Sequence, residues 1–220
     1  MAESRSILVV TSCTSLKALG AGDPPVPAER LYIGEQHRRL MRGVTSFRAA
    51  STRFDLDLRI VSAGHGLVRG DQLLGFYDMS FAGLGGATIE RRAEALGIPV
   101  DVADLLSKPA ALILLLLGDD YMRASGLRPG SALGGPALAF GGAALARRFG
   151  GSSPLKVVPA GKAEARRFSC GLVGLKGELG GQLLELLARR PDLVPHLAAA
   201  DLDVLALLDA NTQASLPVAA

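Results

Sequence analysis

Short runs of apolar and β-branched residues alternate with helical patterns along the chain, and this alternation most constrains its fold. The clearest strand-like runs cover residues 6–11, 56–61, 110–117 and 155–158. Continuous apolar runs of this kind are typical of parallel strands that are covered on both faces. We therefore predict an α/β fold with an open, mostly parallel sheet of about five strands, helices on both faces and right-handed crossovers. This arrangement is Rossmann-like or flavodoxin-like.

The helical patterns lie between and after these runs. They are predicted at residues 27–53, 89–96, 100–106, 143–149, 161–190 and 192–210, with a cap at or near Thr88. Several glycines between 171 and 181 are expected to weaken or interrupt the fifth helix, because glycine disfavours a helix interior. We predict a core domain at 1–160, a helical C-terminal extension at 161–210 packed on it, and a flexible tail at 211–220.

Several classes of protein are disfavoured by the sequence. The longest aliphatic run, 110–117, has eight residues, whereas a membrane-spanning helix needs about twenty. The start of the chain has only a short apolar stretch and resembles no secretory signal. Cys13 and Cys170 are too far apart in sequence to suggest a disulfide framework or a zinc site. We expect a cytoplasmic protein with no membrane contact, metal or cofactor.

Polar residues and glycines follow the predicted strands, where open α/β sheets bind their ligands. The predicted site takes Ser12, Cys13 and Lys17 after the first strand, Ser62, His65 and Gly66 after the second, Phe76, Tyr77 and Asp78 from the next loop, and Asp119 and Tyr121 after the third. We predict in particular that Ser12, Cys13, Ser62, His65 and Tyr77 meet in one pocket at the carboxyl edge of the sheet.

Three of these residues are predicted to be catalytic. His65 is suited to proton transfer, although it also fits a loop histidine that bonds a backbone carbonyl. Asp78 fits either proton transfer or a turn cap. Cys13 is a nucleophile if a neighbouring cation favours its thiolate, and otherwise a small buried residue.

The other residues are predicted to bind the substrate. Lys17 fits an anchor for an anion or a solvated lysine. Phe76 and Tyr77 fit a stacking platform for a base or a plug at the edge of the core. Asp119 with Asp120 fits a Mg²⁺ pair, but acids at a helix start are explained equally well by the helix dipole. Residues 83–86 resemble a phosphate-binding turn weakly, and neither a P-loop nor a G-x-S-x-G elbow is present.

Three segments together resemble a known family. They are Ser12-Cys13-x-x-x-Lys17, then Leu31-Tyr32, then residues 61–67 followed by Tyr77-Asp78-Met-Ser80. This order resembles a family of small bacterial and archaeal α/β proteins with the pattern SC-x3-K, LY, LSA-x-(Y)GL and PYD-x-(T/S), grouped with YaaA-type peroxide-stress proteins. The first element is also similar to the PC-x3-K stretch of archaeosine synthase. His65 and Phe76 stand where the family mostly has an aromatic residue and proline.

The resemblance covers about residues 6–125 and implies a role in nucleobase or nucleic-acid modification or repair. The first hypothesis is an enzyme that acts on a nucleobase, nucleoside or nucleic-acid base, by base modification or N-glycosidic chemistry. The second is a non-enzymatic DNA- or RNA-binding stress protein, suggested by the arginines between Arg30 and Arg53 and the positive charges between Lys156 and Arg190. The third is a small-molecule or docking domain whose last helix, rich in acids, binds a partner or a second copy of the chain.

Overall fold

A computed structural model describes residues 5–51, 53–150 and 154–214, with side chains to residue 211. The predicted tail therefore lies mostly outside the described residues. Within these ranges the strands are β1 (Ser6–Ser12), β2 (Val26–Pro27), β3 (Asp55–Ser62), β4 (Gly66–Arg69), β5 (Leu73–Leu74), β6 (Leu112–Leu116), β7 (Ala137–Gly141) and β8 (Leu155–Pro159).

The main sheet of the described chain has six strands in the order β4-β3-β1-β6-β7-β8. Five of them are parallel, and β4 pairs antiparallel with β3 at one edge. Strands β2 and β5 form a separate antiparallel pair. The predicted α/β class with a mostly parallel sheet is therefore confirmed.

Helices flank the sheet and follow its strands. In the described residues they are α1 (Ala28–Leu31), α2 (Glu35–Ala50), α3 (Gly86–Ala95), α4 (Ile98–Ser107), α5 (Asp119–Ala124), α6 (Ala143–Phe149), α7 (Lys162–Arg167), α8 (Leu172–Arg189), a 3₁₀ helix (Pro191–His196) and α9 (Val204–Ala214). None of these helices combines the length and the apolar character needed to cross a bilayer.

The pleat of the central strands divides the core into two apolar layers. Leu8 and Val10 of β1 face the layer that includes side chains of α3, α4 and α5. Ile7 and Val9 face the opposite layer, which α2, α8 and α9 cover. The alternation explains why residues 7–10 of β1 are all apolar: both faces of the strand are buried.

The structure differs from the sequence-based expectation in three places between β1 and α3. The helix predicted at 27–53 is two helices, because Tyr32 forms an antiparallel bridge with Lys17 and thereby interrupts the helix. Strand β4 was missed, and it forms a hairpin with β3 through a turn that ends at Gly66. Gly66 has φ +76°, and a Cβ there would approach the carbonyl oxygen of Leu96 to 2.9 Å.

The N-cap of α3 is Gly85 rather than Thr88, which lies inside the helix.

The prediction that glycines interrupt the helix of residues 161–190 is confirmed only at Gly171, which is the N-cap of α8. The break falls at residues 168–171, between α7 and α8, and the glycines after it lie inside α8. They let α8 approach α2 closely. A Cβ on Gly177 would lie 1.9 Å from the carbonyl oxygen of Gln36, and a Cβ on Gly43 would lie 2.2 Å from that of Gly181. Close packing therefore overrides the helix propensity of these residues.

The final helix predicted at 192–210 is also two elements. Pro195 lies in the 3₁₀ helix, and α9 starts only at Val204. Between them, the ammonium group of Lys156 donates to the carbonyl oxygens of Ala199 and Leu202. Burial lowers the pKa of Lys156. This lysine satisfies carbonyl groups that a continuous helix would have satisfied itself.

Candidate functional site

The order of the parallel strands reverses between β1 and β6. From β1 the chain goes to β3 on one side, and the later strands β6, β7 and β8 follow on the other. In open α/β sheets, the crevice at the carboxyl ends of the strands at such a reversal is the usual ligand site. The predicted site residues were chosen by this rule, and several of them meet near this point.

A hydrogen-bonded group of side chains lies at these strand ends, and we call it the tyrosine cluster. Its members are Cys13, Tyr32, Ser62, Tyr77 and Tyr121, and it contains all three tyrosines of the sequence. The Tyr77 hydroxyl lies 2.8 Å from Ser62 Oγ and 2.9 Å from the Tyr32 hydroxyl. Cys13 Sγ lies 3.0 Å from the Tyr121 hydroxyl. The end of β3, the segments after β1, α1 and β5, and the helix α5 thus contribute to one polar group, in which Cys13 is also a neighbour of Tyr77.

The hydrogen bonds of Ser62 have a defined direction. Its Oγ accepts the backbone N–H groups of Gly64 and His65, at 3.2 and 3.1 Å. Because both acceptor positions are then used, the hydroxyl proton is directed to the Tyr77 oxygen. The turn between β3 and β4 therefore fixes the orientation of the Tyr77 hydroxyl.

The tyrosines of the cluster are held in their neutral form. Two causes raise the pKa of Tyr32 to about 12: burial has the larger effect, and the negative charge of Cys13 in its ionised form has the smaller one. The same two causes, in the same order, raise the pKa of Tyr77 and of Tyr121 above the usual range. At neutral pH all three phenols consequently retain the proton that makes them hydrogen-bond donors.

The ring of Tyr77 is enclosed by residues from two predicted motifs. Lys17 Nζ lies 4.3 Å from the ring centroid. The imidazole of His65 is edge-on to the ring, with 4.7 Å between centroids. Gly64 packs so closely that a Cβ there would lie 2.4 Å from the ring. Cys13, Ser62, His65, Lys17 and Tyr77 are thus brought together at the carboxyl edge.

Ser12 belongs to a neighbouring arrangement rather than to the tyrosine cluster. Gln36 Nε2 donates to Leu116 O at 2.9 Å and to Ser12 Oγ at 3.2 Å. Lys176 of α8 donates to Leu117 O at 2.5 Å, and burial lowers its pKa. Gln36 and Lys176 therefore cap the carboxyl ends of β1 and β6 on the side of α2 and α8.

The remaining predicted residues lie on the rim or in the scaffold. Phe76 is 41% exposed, and Asp78 and Asp119 are exposed. Asp119 begins α5. Gly66 begins β4 in the hairpin with β3 and is buried against Leu96. The hairpin therefore accounts for a glycine at this position.

Sequence reasoning did not select Tyr32, Gln36 or Lys176 for the site. Tyr32 is 1% exposed and follows a short helix, so its sequence context indicates only a core aromatic. Two signals were available: Leu31-Tyr32 is one of the three segments that carry the family resemblance, and the chain has only three tyrosines, of which the other two had already been selected. No sequence pattern shows that Gln36 and Lys176 reach the ends of β1 and β6, since both contacts depend on how α2 and α8 pack.

The arginines of α2, which suggested nucleic-acid binding, are mostly paired with acids. Arg38 and Arg39 contact Glu35, and Arg39 and Arg42 contact Glu178. The acids of the C-terminal segment are engaged as well, since Asp192 pairs with Arg190 and Asp209 pairs with Arg167. These ion pairs leave both surfaces with less free charge than the sequence suggests.

Other features of the surface do not involve the tyrosine cluster. No group of three His, Cys, Asp or Glu side chains within the described ranges is arranged to hold a metal ion. An open depression of about 510 Å³ is lined by residues that include Glu90, Arg123 and Arg148, but by no member of the cluster.

The fold and the cluster together define an α/β protein with a candidate site at the reversal of its strand order. A scan of the sequence against models of known protein families finds no match, and no curated protein matches it either.

Proposed function

We propose that this protein is an enzyme that acts on a nucleobase or nucleoside, free or within a nucleic acid, at the carboxyl edge of its sheet. The observation that carries this proposal is the tyrosine cluster at the point where the strand order reverses. The reaction class is base modification or chemistry at the N-glycosidic bond.

The cluster offers the kinds of contact that a base requires. Nucleobases have apolar faces and edges that carry hydrogen-bond donors and acceptors. The protonated phenols of Tyr77 and Tyr121 supply donors for ring nitrogens and carbonyl oxygens. Phe76, exposed beside Tyr77, supplies a ring on which a base can stack.

The roles of the reactive side chains follow from their positions. His65 is exposed at the rim and contacts Tyr77, where an imidazole is suited to exchange a proton with a bound base near neutral pH. Asp78 is the second exposed group suited to proton transfer. Cys13 lies at the buried floor of the cluster, next to Tyr121. The resemblance of three segments to the YaaA-type family, and of the first segment to archaeosine synthase, supports the same class of substrate.

The alternative of a non-enzymatic nucleic-acid-binding protein has less support. It depended on the arginines between Arg30 and Arg53 and on the positive charges between Lys156 and Arg190. In the first segment, Arg38, Arg39 and Arg42 are engaged by Glu35 and Glu178. In the second, Arg167 and Arg190 pair with Asp209 and Asp192. Phosphate contacts require Lys or Arg side chains that are free to neutralise phosphates and so release the counterions condensed on the nucleic acid.

The test is a screen of bases, nucleosides and oligonucleotides with two measurements. The first is thermal stabilisation of the protein by each compound. The second is release or modification of the base, detected by chromatography of the reaction mixture. In the His65→Ala variant we expect turnover to fall by about 10²–10⁴-fold. Its melting temperature should stay nearly unchanged, because the imidazole is exposed and the backbone N–H that bonds Ser62 is retained.

Cys170→Ser is the control, since this cysteine lies in the segment between α7 and α8 and contacts no member of the cluster. It should keep wild-type turnover. If no base, nucleoside or oligonucleotide stabilises the protein or is changed by it, the proposed function is wrong. A His65→Ala variant with full turnover would remove the catalytic role of this residue.

A further inference from the structure

Of the three histidines, only His37 is buried, and its hydrogen bonding is incomplete. It lies in the first turn of α2 and is 1% exposed. Its Nε2 lies 2.9 Å from the carbonyl oxygen of Glu29 in α1. Because a carbonyl oxygen can only accept, Nε2 carries the proton of the neutral ring, and Nδ1 carries a lone pair. In the part of the chain that the structure describes, no group bonds this buried Nδ1.

A second proton on the His37 ring has no favourable place in this structure. It would have to bind Nδ1, where it would create a buried N–H donor without an acceptor and a positive charge away from water. Burial accordingly lowers the pKa of His37, and the bond to Glu29 O and the charge of the Glu29 carboxylate oppose this effect only in part. The packing of α1 against α2 therefore favours the neutral ring.

The charged groups of the elements around His37 are already paired. The Glu29 carboxylate of α1 accepts from Arg48 of α2 at 2.9 Å. The turn between β4 and β5 bonds the backbone of α1, and its Arg69 and Asp71 pair with each other at 2.5 Å. An imidazolium at His37 would consequently have to compete with Arg48 for the one carboxylate whose charge acts on it.

His37 is connected to the tyrosine cluster through Tyr32. The two rings are edge-on, with 5.8 Å between centroids, and the Tyr32 hydroxyl lies 2.9 Å from that of Tyr77. Tyr32 is also the C-cap of α1, the short helix whose Glu29 O accepts the bond from His37. A movement of α1 away from α2 would therefore carry Tyr32 out of the cluster.

We infer that protonation of His37 separates α1 from the start of α2 and withdraws Tyr32 from Tyr77, so that the site is assembled at neutral pH and opened by acid. An opened chain takes up this proton with the ordinary pKa of 6.5, whereas the closed structure takes it up only at lower pH. The stability of the closed form is thus complete above pH 6.5 and is lost as the pH falls below it. The inference concerns the assembly of the site and requires no particular ligand.

The experiment follows tyrosine fluorescence and the hydrogen-exchange protection of residues 26–38 from about pH 8 to about pH 5. It uses the His65→Ala background, because the imidazole of His65 also contacts Tyr77 and its own titration would change the emission. We expect the emission to change and the protection of this segment to fall at least about tenfold, with a midpoint below pH 6.5.

Two variants in the same background test the origin of the transition. His37→Gln should remove it, because a glutamine amide can still donate to Glu29 O but does not titrate. His196→Gln is the matched control: this histidine is exposed in the 3₁₀ helix, and its replacement should leave the acid transition unchanged.

Several outcomes would overturn the inference. One is an acid transition that persists in His37→Gln, and another is a loss of protection that is equal in all segments, which would indicate global unfolding. If His37→Gln does not fold, nuclear magnetic resonance of the three histidine rings decides. A His37 ring that titrates while emission and protection stay constant contradicts the inference, and one that titrates together with them supports it. Because no ligand is present, these results are independent of whether the proposed function holds.

Discussion

Ser62, at the end of β3, connects the turn after that strand with the tyrosine cluster. It is fully buried, it accepts two backbone N–H groups, and it directs its own proton to Tyr77. A buried hydroxyl with three hydrogen bonds is difficult to replace, because the groups that lose their hydrogen bond to it stay buried without water to bond instead. The orientation of Tyr77 therefore depends on a residue that need not touch a ligand.

Replacing this serine should destabilise the protein. We expect Ser62→Ala to lower the free energy of unfolding by about 1–3 kcal/mol, measured by urea denaturation, because buried donors lose their acceptor. Ser107→Ala is the control: its hydroxyl bonds Asp104 O at the exposed end of α4 and should contribute less than about 0.5 kcal/mol. Equal effects of the two substitutions would contradict the role assigned to Ser62.

Tyr32 should give the stability of the protein a dependence on alkaline pH. Its pKa is about 12 in the folded protein and 10.0 ordinarily, so the folded state holds this proton more tightly than the unfolded state. The associated stability is complete below pH 10 and is lost as the pH rises towards 12. The loss should amount to about 2 kcal/mol.

The measurement is the free energy of unfolding as a function of pH for the wild type and for Tyr32→Phe. The variant should lose less stability than the wild type between about pH 10 and pH 12, because phenylalanine does not titrate. Parallel curves would show that Tyr32 has an ordinary pKa in the folded protein.

At the scale of elements, the pair α2 and α8 covers one face of the sheet and sets the position of Gln36. Gly177 packs directly on the backbone of Gln36, whose side chain bonds Leu116 O. The distance between these helices consequently determines whether Gln36 reaches the strand ends.

A larger side chain at Gly177 should push α2 and α8 apart. Alanine favours a helix over glycine by about 1 kcal/mol, but a Cβ on Gly177 would lie 1.9 Å from a carbonyl oxygen. We expect Gly177→Ala to lower the melting temperature, at a cost of about 1–3 kcal/mol from overpacking. Gly171→Ala, at the N-cap of the same helix with open space around it, should change stability by less than about 1 kcal/mol. A more stable Gly177→Ala variant would contradict the close approach.

How much the sequence predicts differs between strands and helices. Runs such as Leu112–Leu116 are fully buried, so their composition alone reveals them. Short β4 gives no comparable signal. The glycines of α8 were misinterpreted because propensity describes a single helix, whereas their role is to contact α2. At the site, the rule about strand ends selected Ser62, and Tyr77 was selected as a loop aromatic. Neither criterion could select Tyr32, whose hydroxyl reaches the cluster only through the tertiary fold.

For the whole molecule, the C-terminal elements contribute to one continuous apolar layer. Side chains from the 3₁₀ helix, the turn after it and α9 are buried in the layer that includes β1 and α8: Val194, Leu197, Val204, Leu205 and Leu208. Whether residues 161–210 form a separate extension stays a prediction, but this packing favours a single cooperative unit.

Removing the last two elements should therefore unfold the chain. Each buried aliphatic side chain contributes about 1.5–3 kcal/mol, and the net stability of a domain is only about 5–15 kcal/mol. We expect a chain of residues 1–190 to be largely insoluble, or to lack a cooperative transition in thermal melts followed by circular dichroism. A truncated chain that melts cooperatively at the full-length temperature would instead support a dispensable extension.

The placement of every tyrosine in one cluster has a practical consequence, because the sequence contains no tryptophan. Ultraviolet fluorescence of this protein, and the tyrosine bands of its near-ultraviolet circular dichroism, arise from three phenol rings at one location. The unlabelled chain thus carries its own optical probe. A compound that occupies the carboxyl edge should alter tyrosine emission, and one that binds elsewhere should leave it nearly constant.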